Sequence, residues 1–152
     1  MSVEIRAANA ADLSSILSVD ESAEREERRY DYISRAIRGE HGRSVLVLLL
    51  DEEMVGFTVT GEFFGHPFLE LIATSASVWR RGVASALMAK LETSIEGDRM
   101  FVSANESNDI MRQLLVKRGY RVSGMVEDLD PGDPEIFFVI FKSAIDAQIA
   151  GD

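Results

Sequence analysis

Two segments of the sequence have residue types and spacing that suit chemistry. Glu70 lies between Leu69 and Leu71 in a β-rich run, and a carboxylate in such a place could accept a proton as a general base. Further along, the segment Arg80 to Ala84 places two arginines and Gly82 at the predicted start of a helix. A helix start presents free backbone N–H groups and the positive end of the helix dipole, so phosphate binds there readily. The sequence thus offers a candidate proton acceptor and, shortly after it, a candidate anion site.

The segment Arg80 to Ala84 is not specific by itself, because a polar turn often precedes a helix. One helix terminus contributes only about 0.3–1 kcal/mol per charge at an exposed site, so several amides and both arginines would have to act together. Two common phosphate motifs are excluded, since no Gly-x-Gly-x-x-Gly follows a strand and no Gly-Lys-Ser/Thr is present. The meaning of the segment therefore depends on the elements around it.

Hydrophobic periodicity predicts alternating strands and helices along the chain. Asn9 can cap a first helix, Gly39 can end a second, Gly82 precedes a third, and Asn108 and Gly119 bound a fourth. The predicted strands are 3–7, 44–50, 54–62, 68–74, 100–104, 120–126 and 136–141. This order predicts one mixed α/β domain over residues 1–152, with a mainly antiparallel sheet of about seven strands flanked by four helices.

The predicted second helix, over about residues 23–38, has an apolar stripe and a charged face. Tyr30, Ile33 and Ile37 recur at helical spacing, and we expect them to face the core. Tyr32 falls outside that stripe and is therefore freer to act in a site. The charged face is interpreted as solvated surface rather than as a binding face.

Two stretches of the sequence resemble signatures of the GNAT family of N-acetyltransferases. The strand that ends in Leu69 to Thr74, the Arg80 to Ala84 turn and the helix beginning Ser85-Ala86-Leu87-Met88 resemble the family's acetyl-CoA-binding segment. Asn105 to Asn108, followed by Leu114 to Tyr120, resemble its second signature, an Asn followed a helix later by Gly-Phe or Gly-Tyr. The resemblance covers nearly the whole chain. It implies a GNAT-like fold and direct transfer of the acetyl group from acetyl-CoA to a primary amine of a small molecule, peptide or protein.

The resemblance also implies where acetyl-CoA would bind. In the family, the strand corresponding to residues 68–74 splays from its neighbour and the cofactor enters the cleft. Main-chain groups of Ile72, Ala73 and Thr74 would bond the pantetheine arm. The pyrophosphate would be held by amides of Arg80, Arg81, Gly82, Val83, Ala84 and Ser85. Asn108 would contact the cofactor from the next helix, although capping its own helix explains an asparagine there equally well.

The sequence departs from the family pattern at two positions. Trp79 stands where the family usually has Gln or Arg, and we expect it to pack in the core, with stacking on the cofactor as the alternative. Leu115 stands where many members have the tyrosine that protonates the departing thiolate. Water or another group would then supply that proton. Alternatively, the chain is a catalytically silent acyl-CoA-binding regulatory module.

Glu70 is the predicted general base, because family members often carry an acidic group near this point of the strand. An ion pair with Arg43 or Lys142 is the alternative role for this carboxylate. Around the predicted mouth of the site, three further residues are predicted to bind substrate: Tyr32, Glu62 and His66. His66 could equally stabilise the turn in which it lies.

Composition bounds the other classes of function. The net charge of −10 argues against a nucleic-acid partner and weakly favours cationic ligands such as amines. The sequence has no Cys, which excludes a thiolate metal site or a Cys nucleophile, and it has only two His. We therefore expect no metal ion. The N-terminus lacks a signal-peptide pattern and the apolar run 45–50 is too short to cross a bilayer, so we expect a cytoplasmic protein without a membrane partner. A homodimer is a further option, because dimers are the commonest assemblies.

Overall fold

The computed structural model describes residues 2–20 and 27–151. Within those ranges the chain forms seven β-strands and five α-helices, which confirms the predicted mixed α/β class. The strands are β1 (Val3–Ala7), β2 (Ser44–Leu50), β3 (Glu53–Phe63), β4 (His66–Thr74), β5 (Arg99–Asn105), β6 (Arg121–Val126) and β7 (Glu135–Phe141). The helices are α1 (Leu13–Val19), α2 (Glu27–Ile37), α3 (Val83–Thr93), α4 (Asp109–Lys117) and α5 (Lys142–Gly151). The helices outnumber the predicted four because the C-terminal segment, which buries Ile145, is also helical.

The helix ends lie close to the residues that predict them. The Ala11 amide donates to Asn9 Oδ1 at 2.9 Å, although a short 3₁₀ turn over residues 10–12 precedes α1. Gly39 and Gly119 adopt φ angles of 80° and 94° just beyond α2 and α4, and only glycine adopts this left-handed region without strain. The predicted start of α2 at residue 23 lies outside the described residues.

The seven strands follow the order β1-β2-β3-β4-β5-β7-β6. The pairs β1–β2, β2–β3, β5–β7 and β6–β7 are antiparallel. β4 and β5 are parallel, with Phe68 opposite Phe101 and Leu69 opposite Val102. β2 and β3 form the predicted hairpin, which is closed by Asp51 and Glu52, both at positive φ.

Contacts divide the chain into two compact units. The first contains residues 1–62 and 70–91, and the second contains residues 63–69 and 92–152. β4 therefore contributes its first residues to the second unit, and its residues from Glu70 onward to the first. Glu70 and the segment Arg80 to Ala84 therefore belong to the same unit.

In the first unit, the side chains of β2 and β3 alternate between two apolar clusters. The cluster shared with α1 and α2 consists of Ile16, Val19, Ile33, Ala36, Val45, Val47, Phe57 and Val59. The cluster shared with α3 consists of Leu48, Val55, Val78, Val83 and Leu87. Val47 and Leu48 are adjacent in sequence yet belong to different clusters, as the alternation of a strand requires.

Gly56 on β3 allows α3 to lie close to the sheet. A Cβ atom at this position would lie 2.9 Å from Val83 Cγ1 and 3.1 Å from Leu87 Cδ1. Both contacts are closer than a packed core accepts without displacing the helix. The first turn of α3, and with it the segment Arg80 to Ala84, is therefore seated directly on β3.

β4 departs from strict alternation at Glu70. The carboxylate of Glu70 reaches Tyr32 on α2, and the next residue, Leu71, packs against the cluster that contains Ile33 of the same helix. Ile72 packs against the other cluster. Two consecutive side chains thus lie on the α2 side, which a regular strand does not allow, so the strand is irregular at this point.

The second unit contains a buried ion pair beside the Gly-Tyr signature. Glu92 is only 5% exposed and accepts hydrogen bonds from Arg118 Nε and from the Tyr120 hydroxyl, each at 2.9 Å. Burial and the neighbouring carboxylate raise the pKa of Tyr120 far above its usual range, so this phenol stays protonated and donates. Tyr120, three residues beyond the end of α4, therefore has a structural role as a hydrogen-bond donor to the buried Glu92.

Candidate active site

Glu70 accepts hydrogen bonds from two neighbours in the first unit. The Tyr32 hydroxyl donates to Glu70 Oε1 at 3.0 Å. Arg43 Nε lies 3.1 Å from Oε1 and 3.2 Å from Oε2. The side chains of Arg43 and Glu70 keep only 26% and 21% of their surface exposed. Of the two partners considered for an ion pair, Arg43 is the one that pairs, and the carboxylate is held in one orientation.

Gly61 on β3 provides the space for this carboxylate. A Cβ atom on Gly61 would overlap Glu70 Oε2 and lie 2.9 Å from Glu70 Cδ. The same atom would come within 3.6 Å of Arg43 Cγ. The absence of a side chain at position 61 is therefore a condition for the Tyr32–Glu70–Arg43 arrangement.

Tyr30 and Tyr32 of α2 differ in burial, and the prediction for Tyr30 was wrong. Tyr30 was expected in the core on the basis of its spacing, but it is 55% exposed. Tyr32 is the half-buried one, and the Arg43 guanidinium lies 5.3 Å from the centroid of its ring. Burial, followed by the charge of Glu70, raises the pKa of Tyr32 well above its usual range. Tyr32 is thus a hydrogen-bond donor to Glu70 and not a phenolate.

A cavity of about 530 Å³ opens beside Glu70. Every side chain that lines it is charged or polar: Arg28, Asp31, Tyr32, Arg35, His41, Arg43, Glu62 and Glu70. Two of the three predicted substrate-binding residues, Tyr32 and Glu62, are therefore brought together with the predicted base. A cavity of this kind suits a small hydrophilic ligand, because an apolar one would remove these polar groups from water without replacing their hydrogen bonds.

The segment Arg80 to Ser85 has the backbone geometry of an anion site. Arg80 and Gly82 both adopt positive φ angles, 66° and 82°. The helical ladder of α3 begins with the Ala86 amide, which donates to Gly82 O at 3.0 Å. The amides of residues 82–85 therefore have no intrahelical acceptor and are directed to the start of the helix. Both arginine side chains are exposed there, so the site has charge as well as donors.

Trp79 is exposed beside this segment, and the expectation that it packs in the core was wrong. The indole keeps 67% of its surface accessible. Its Nε1 donates to the carbonyl of Thr74 at 3.2 Å. The side chain leaves the core because the 3₁₀ turn over residues 76–78 buries Val78 instead. Ile72, Ala73 and Thr74 are half-buried, and the Thr74 carbonyl already has a donor.

Asn108 and His66 lie in the second unit. Asn108 Oδ1 accepts from the Met111 amide at 3.1 Å, so the asparagine does cap its own helix. His66 begins β4, and its ring centroid lies 5.7 Å from that of Phe101. The turn before it consists of Phe64 and Gly65, both at positive φ, rather than of His66 itself.

Known proteins share both the sequence pattern and the fold of this chain. The sequence matches the model of the acetyltransferase (GNAT) family over residues 10–120. The chain belongs to the GNAT acetyltransferase family. A solved structure of a GNAT-family acetyltransferase from Bacillus cereus is 34% identical to this acetyltransferase, covers 93% of its chain and 99% of the other, and gives a TM-score of 0.84. No match is found among curated protein sequences.

More distant structures share the fold of this acetyltransferase. The ribosomal-protein-S18-alanine N-acetyltransferase from Escherichia coli is 17% identical, with 92% of this chain and 94% of the other covered and a TM-score of 0.80. The PaiA N-acetyltransferase from Thermoplasma acidophilum, solved in complex with coenzyme A, is 18% identical, with 90% and 98% covered and a TM-score of 0.70. The family uses acetyl-CoA as its acyl donor.

Leu115 of this acetyltransferase is fully buried. Its apolar side chain cannot donate a proton, so it cannot perform the role that the resemblance gives to a tyrosine at this position.

Four cavity residues of this acetyltransferase were not considered in the sequence analysis, namely Arg28, Asp31, Arg35 and His41, and a fifth, Arg43, was considered only as an ion-pair partner of Glu70. Three of them have a signal in the sequence. Arg28, Asp31, Tyr32 and Arg35 are spaced i, i+3, i+4 and i+7, so they share one face of α2. That face lines the cavity while staying exposed, since Asp31 and Arg35 keep 61% and 50% of their side-chain surface accessible, as a solvated surface would. His41 has no such signal, because it follows the helix in an irregular turn at a φ of 57°.

The described part of this acetyltransferase has neither a metal-binding cluster nor a membrane-spanning helix. Within residues 2–20 and 27–151, no group of three or more His, Asp or Glu side chains is placed to hold a metal ion. Over the same ranges, no helix has the length and apolarity needed to span a bilayer.

Proposed function

We propose that this acetyltransferase moves the acetyl group of acetyl-CoA directly to a primary amine bound in the Glu70 cavity, with Glu70 as the proton acceptor. One observation carries the proposal. Glu70 lies on the strand that leads into the anion segment Arg80 to Ser85, within one compact unit, and faces a polar cavity. A proton acceptor, an acceptor pocket and an anion site are thus provided by consecutive parts of the chain.

The anion segment supports binding of the pyrophosphate of acetyl-CoA. The amides of residues 82–85 would donate to it, and the side chains of Arg80 and Arg81 would add charge. When bound, acetyl-CoA supplies the thioester whose acyl group is transferred. Main-chain groups of residues 72–74 are proposed to bond its pantetheine arm, and Asn108 stays a predicted contact.

Glu70 is suited to the proton transfer that the reaction requires. A lysine-like amine is only about one part in a few thousand neutral at pH 7, a deficit of about 4–5 kcal/mol. A carboxylate offers about four lone-pair positions, and the donors on Tyr32 and Arg43 leave room for an ammonium proton. Proximity of amine and thioester contributes a further part of the rate.

In the proposed transfer, the ammonium group first loses one proton to Glu70, directly or through one water. The neutral amine nitrogen then forms a bond to the acyl carbon while the carbon–sulfur bond breaks. The sulfur leaves with the electron pair of that bond. The second proton that the nitrogen loses passes through water to the sulfur, because the buried Leu115 cannot supply one.

The proposal predicts amine-dependent release of free thiol from acetyl-CoA. The measurement is a thiol-reactive dye assay over a panel of small amines and amino-terminal peptides. The chain has no Cys, so the protein itself gives no background in this assay. If acetyl-CoA binds and no amine in the panel supports turnover, the silent acyl-CoA-binding module is the better description.

Trp79 is expected to report acetyl-CoA binding directly. It is the single Trp of the chain, 67% exposed beside the anion segment, so bound acetyl-CoA should change its emission. Excitation at the red edge of the indole band avoids absorption by the adenine. Replacing both Arg80 and Arg81 by Ala should weaken the titration by about tenfold or more, because charge-assisted bonds are lost.

The matched control for the Trp79 titration is Arg121→Ala, which removes an exposed arginine of the second unit away from the predicted cofactor contacts and should leave the titration unchanged. Calorimetry provides the independent measurement of affinity. Saturable binding of acetyl-CoA by calorimetry with unaltered emission would show that the cofactor does not lie beside Trp79. A homodimer and a cytoplasmic location remain predictions of the sequence.

A further inference from the structure

The cavity beside Glu70 has a charge balance that differs from that of the chain. The sequence has 26 acidic and 16 basic residues, an excess of acids. The cavity is lined by three arginines, Arg28, Arg35 and Arg43, against three acids, Asp31, Glu62 and Glu70. The general acidity of the protein, which favours cationic ligands, is therefore not a property of the site where the acceptor would bind.

Two of the three arginines are already paired with acids of the cavity. Arg43 binds Glu70 as described above, and Arg35 Nε lies 3.1 Å from Asp31 Oδ2. Within residues 2–20 and 27–151, no acid pairs with Arg28 and no base pairs with Glu62. After internal pairing, the cavity thus offers a ligand one cation, Arg28, and one anion, Glu62.

We infer that the acceptor is an amine that also carries a carboxylate, such as a free amino acid or the amino terminus of a short acidic peptide. This inference rests on the proposed function. Arg28 binds the carboxylate of such a ligand, because a guanidinium presents a planar pair of donors that matches two carboxylate oxygens. Glu62 and the remaining lone pairs of Glu70 face the ammonium group.

Ligands of other classes fit this lining less well. A polyamine would place like charge beside Arg28, which has no acid of the described chain to compensate it. A hydrophobic amine would desolvate charged side chains and return no hydrogen bonds. An amine with one carboxylate can pair with both Arg28 and Glu62. The ion pairs Arg35–Asp31 and Arg43–Glu70 then stay intact.

The test compares acceptors with and without the carboxylate, with rates expressed per neutral amine because amidation also lowers the pKa of the α-amine. The common amino acids are assayed beside their carboxamides, with spermidine as a purely cationic amine, by thiol release from acetyl-CoA. In the wild-type protein, amidation of the best amino acid should lower kcat/KM by about tenfold or more, because a charge-assisted bond is lost. In Arg28→Gln this ratio should fall close to one, and in Arg28→Glu the carboxamides and spermidine should become the better acceptors.

Arg38→Gln is the matched control, because Arg38 lies just beyond the same helix, is paired with Glu40 and does not line the cavity. It should retain the wild-type preference. Turnover of carboxamides or spermidine as fast as of amino acids by the wild-type protein would overturn the inference and leave the proposed function intact. A preference that persists unchanged in Arg28→Gln would also overturn it. Binding of acetyl-CoA without turnover of any amine would instead contradict the proposed function itself.

Discussion

Replacement of Glu70 by Gln is expected to lower kcat by about 10²–10⁴-fold, the range that a positioned general base contributes. Glutamine has nearly the shape of glutamate and can still accept from Tyr32 and Arg43, but it cannot take the proton of the incoming amine. Affinity for acetyl-CoA should be unchanged, because the anion segment Arg80 to Ser85 is untouched. The measurements are kcat from thiol release and cofactor affinity from Trp79 emission.

Two comparisons make the Glu70 prediction specific. Glu53→Gln removes an exposed carboxylate at the start of β3 and should keep wild-type activity. Tyr32→Phe removes one hydrogen bond to Glu70 but leaves the carboxylate, so its effect on kcat should be smaller than that of Glu70→Gln. Full activity of Glu70→Gln at neutral pH would exclude Glu70 as the base and assign it to the ion pair alone.

The substitution Gly61→Ala should abolish most of the activity while the protein remains folded. The new Cβ atom would occupy the position of Glu70 Oε2, and the carboxylate is the far end of a flexible side chain, so it can move away. Its bonds to Tyr32 and Arg43 would be broken. We expect a loss of kcat comparable to that of Glu70→Gln, with thermal unfolding changed little, since alanine is at least as compatible with a strand as glycine.

A double variant separates this cause from a general disturbance of β3. If Gly61→Ala acts only by displacing Glu70, it should add no further loss of activity in a Glu70→Ala background. It should also leave the unfolding temperature of that background unchanged. A further loss in the double variant would show that position 61 affects the site through another group.

The parts of the site that the sequence predicts well are those set by local chemistry. The start of α3 is one, because Gly82 and the arginines before it act through their own backbone and charges. The capping role of Asn108 is another. In both, the residues that determine the geometry are neighbours in the sequence, so spacing alone was informative.

The role of Glu70 could not be fixed in the same way. Its contacts come from α2, from the segment before β2 and from Gly61, and they depend on an irregularity in β4 that no periodicity shows. The base and ion-pair roles therefore stayed open, and the structure shows that the pair with Arg43 exists alongside access to the cavity.

Trp79 and Tyr30 illustrate why residue type and spacing can mislead. Both are large and aromatic, and Tyr30 has helical spacing to Ile33, so burial was the natural expectation. Tertiary packing placed Val78 and Tyr32 inward instead. The charged face of α2 is solvated, as expected, and it also lines the cavity.

The positions of Gly56 and Gly61 on β3 indicate how far apart the start of α3 and the Glu70 carboxylate lie. Gly56 seats the first turn of α3, and Gly61 accommodates the Glu70 carboxylate, five residues further along the same strand. At the rise of an extended strand, those positions lie roughly 17 Å apart. Positions five residues apart in a strand also point to opposite faces, so Gly56 receives α3 on one face of the sheet and Gly61 receives the Glu70 carboxylate on the other. On the proposed function, the donor would have to extend from the segment Arg80 to Ser85 to the face on which Glu70 lies. We therefore expect a donor as short as acetyl phosphate to be a poor substitute for acetyl-CoA.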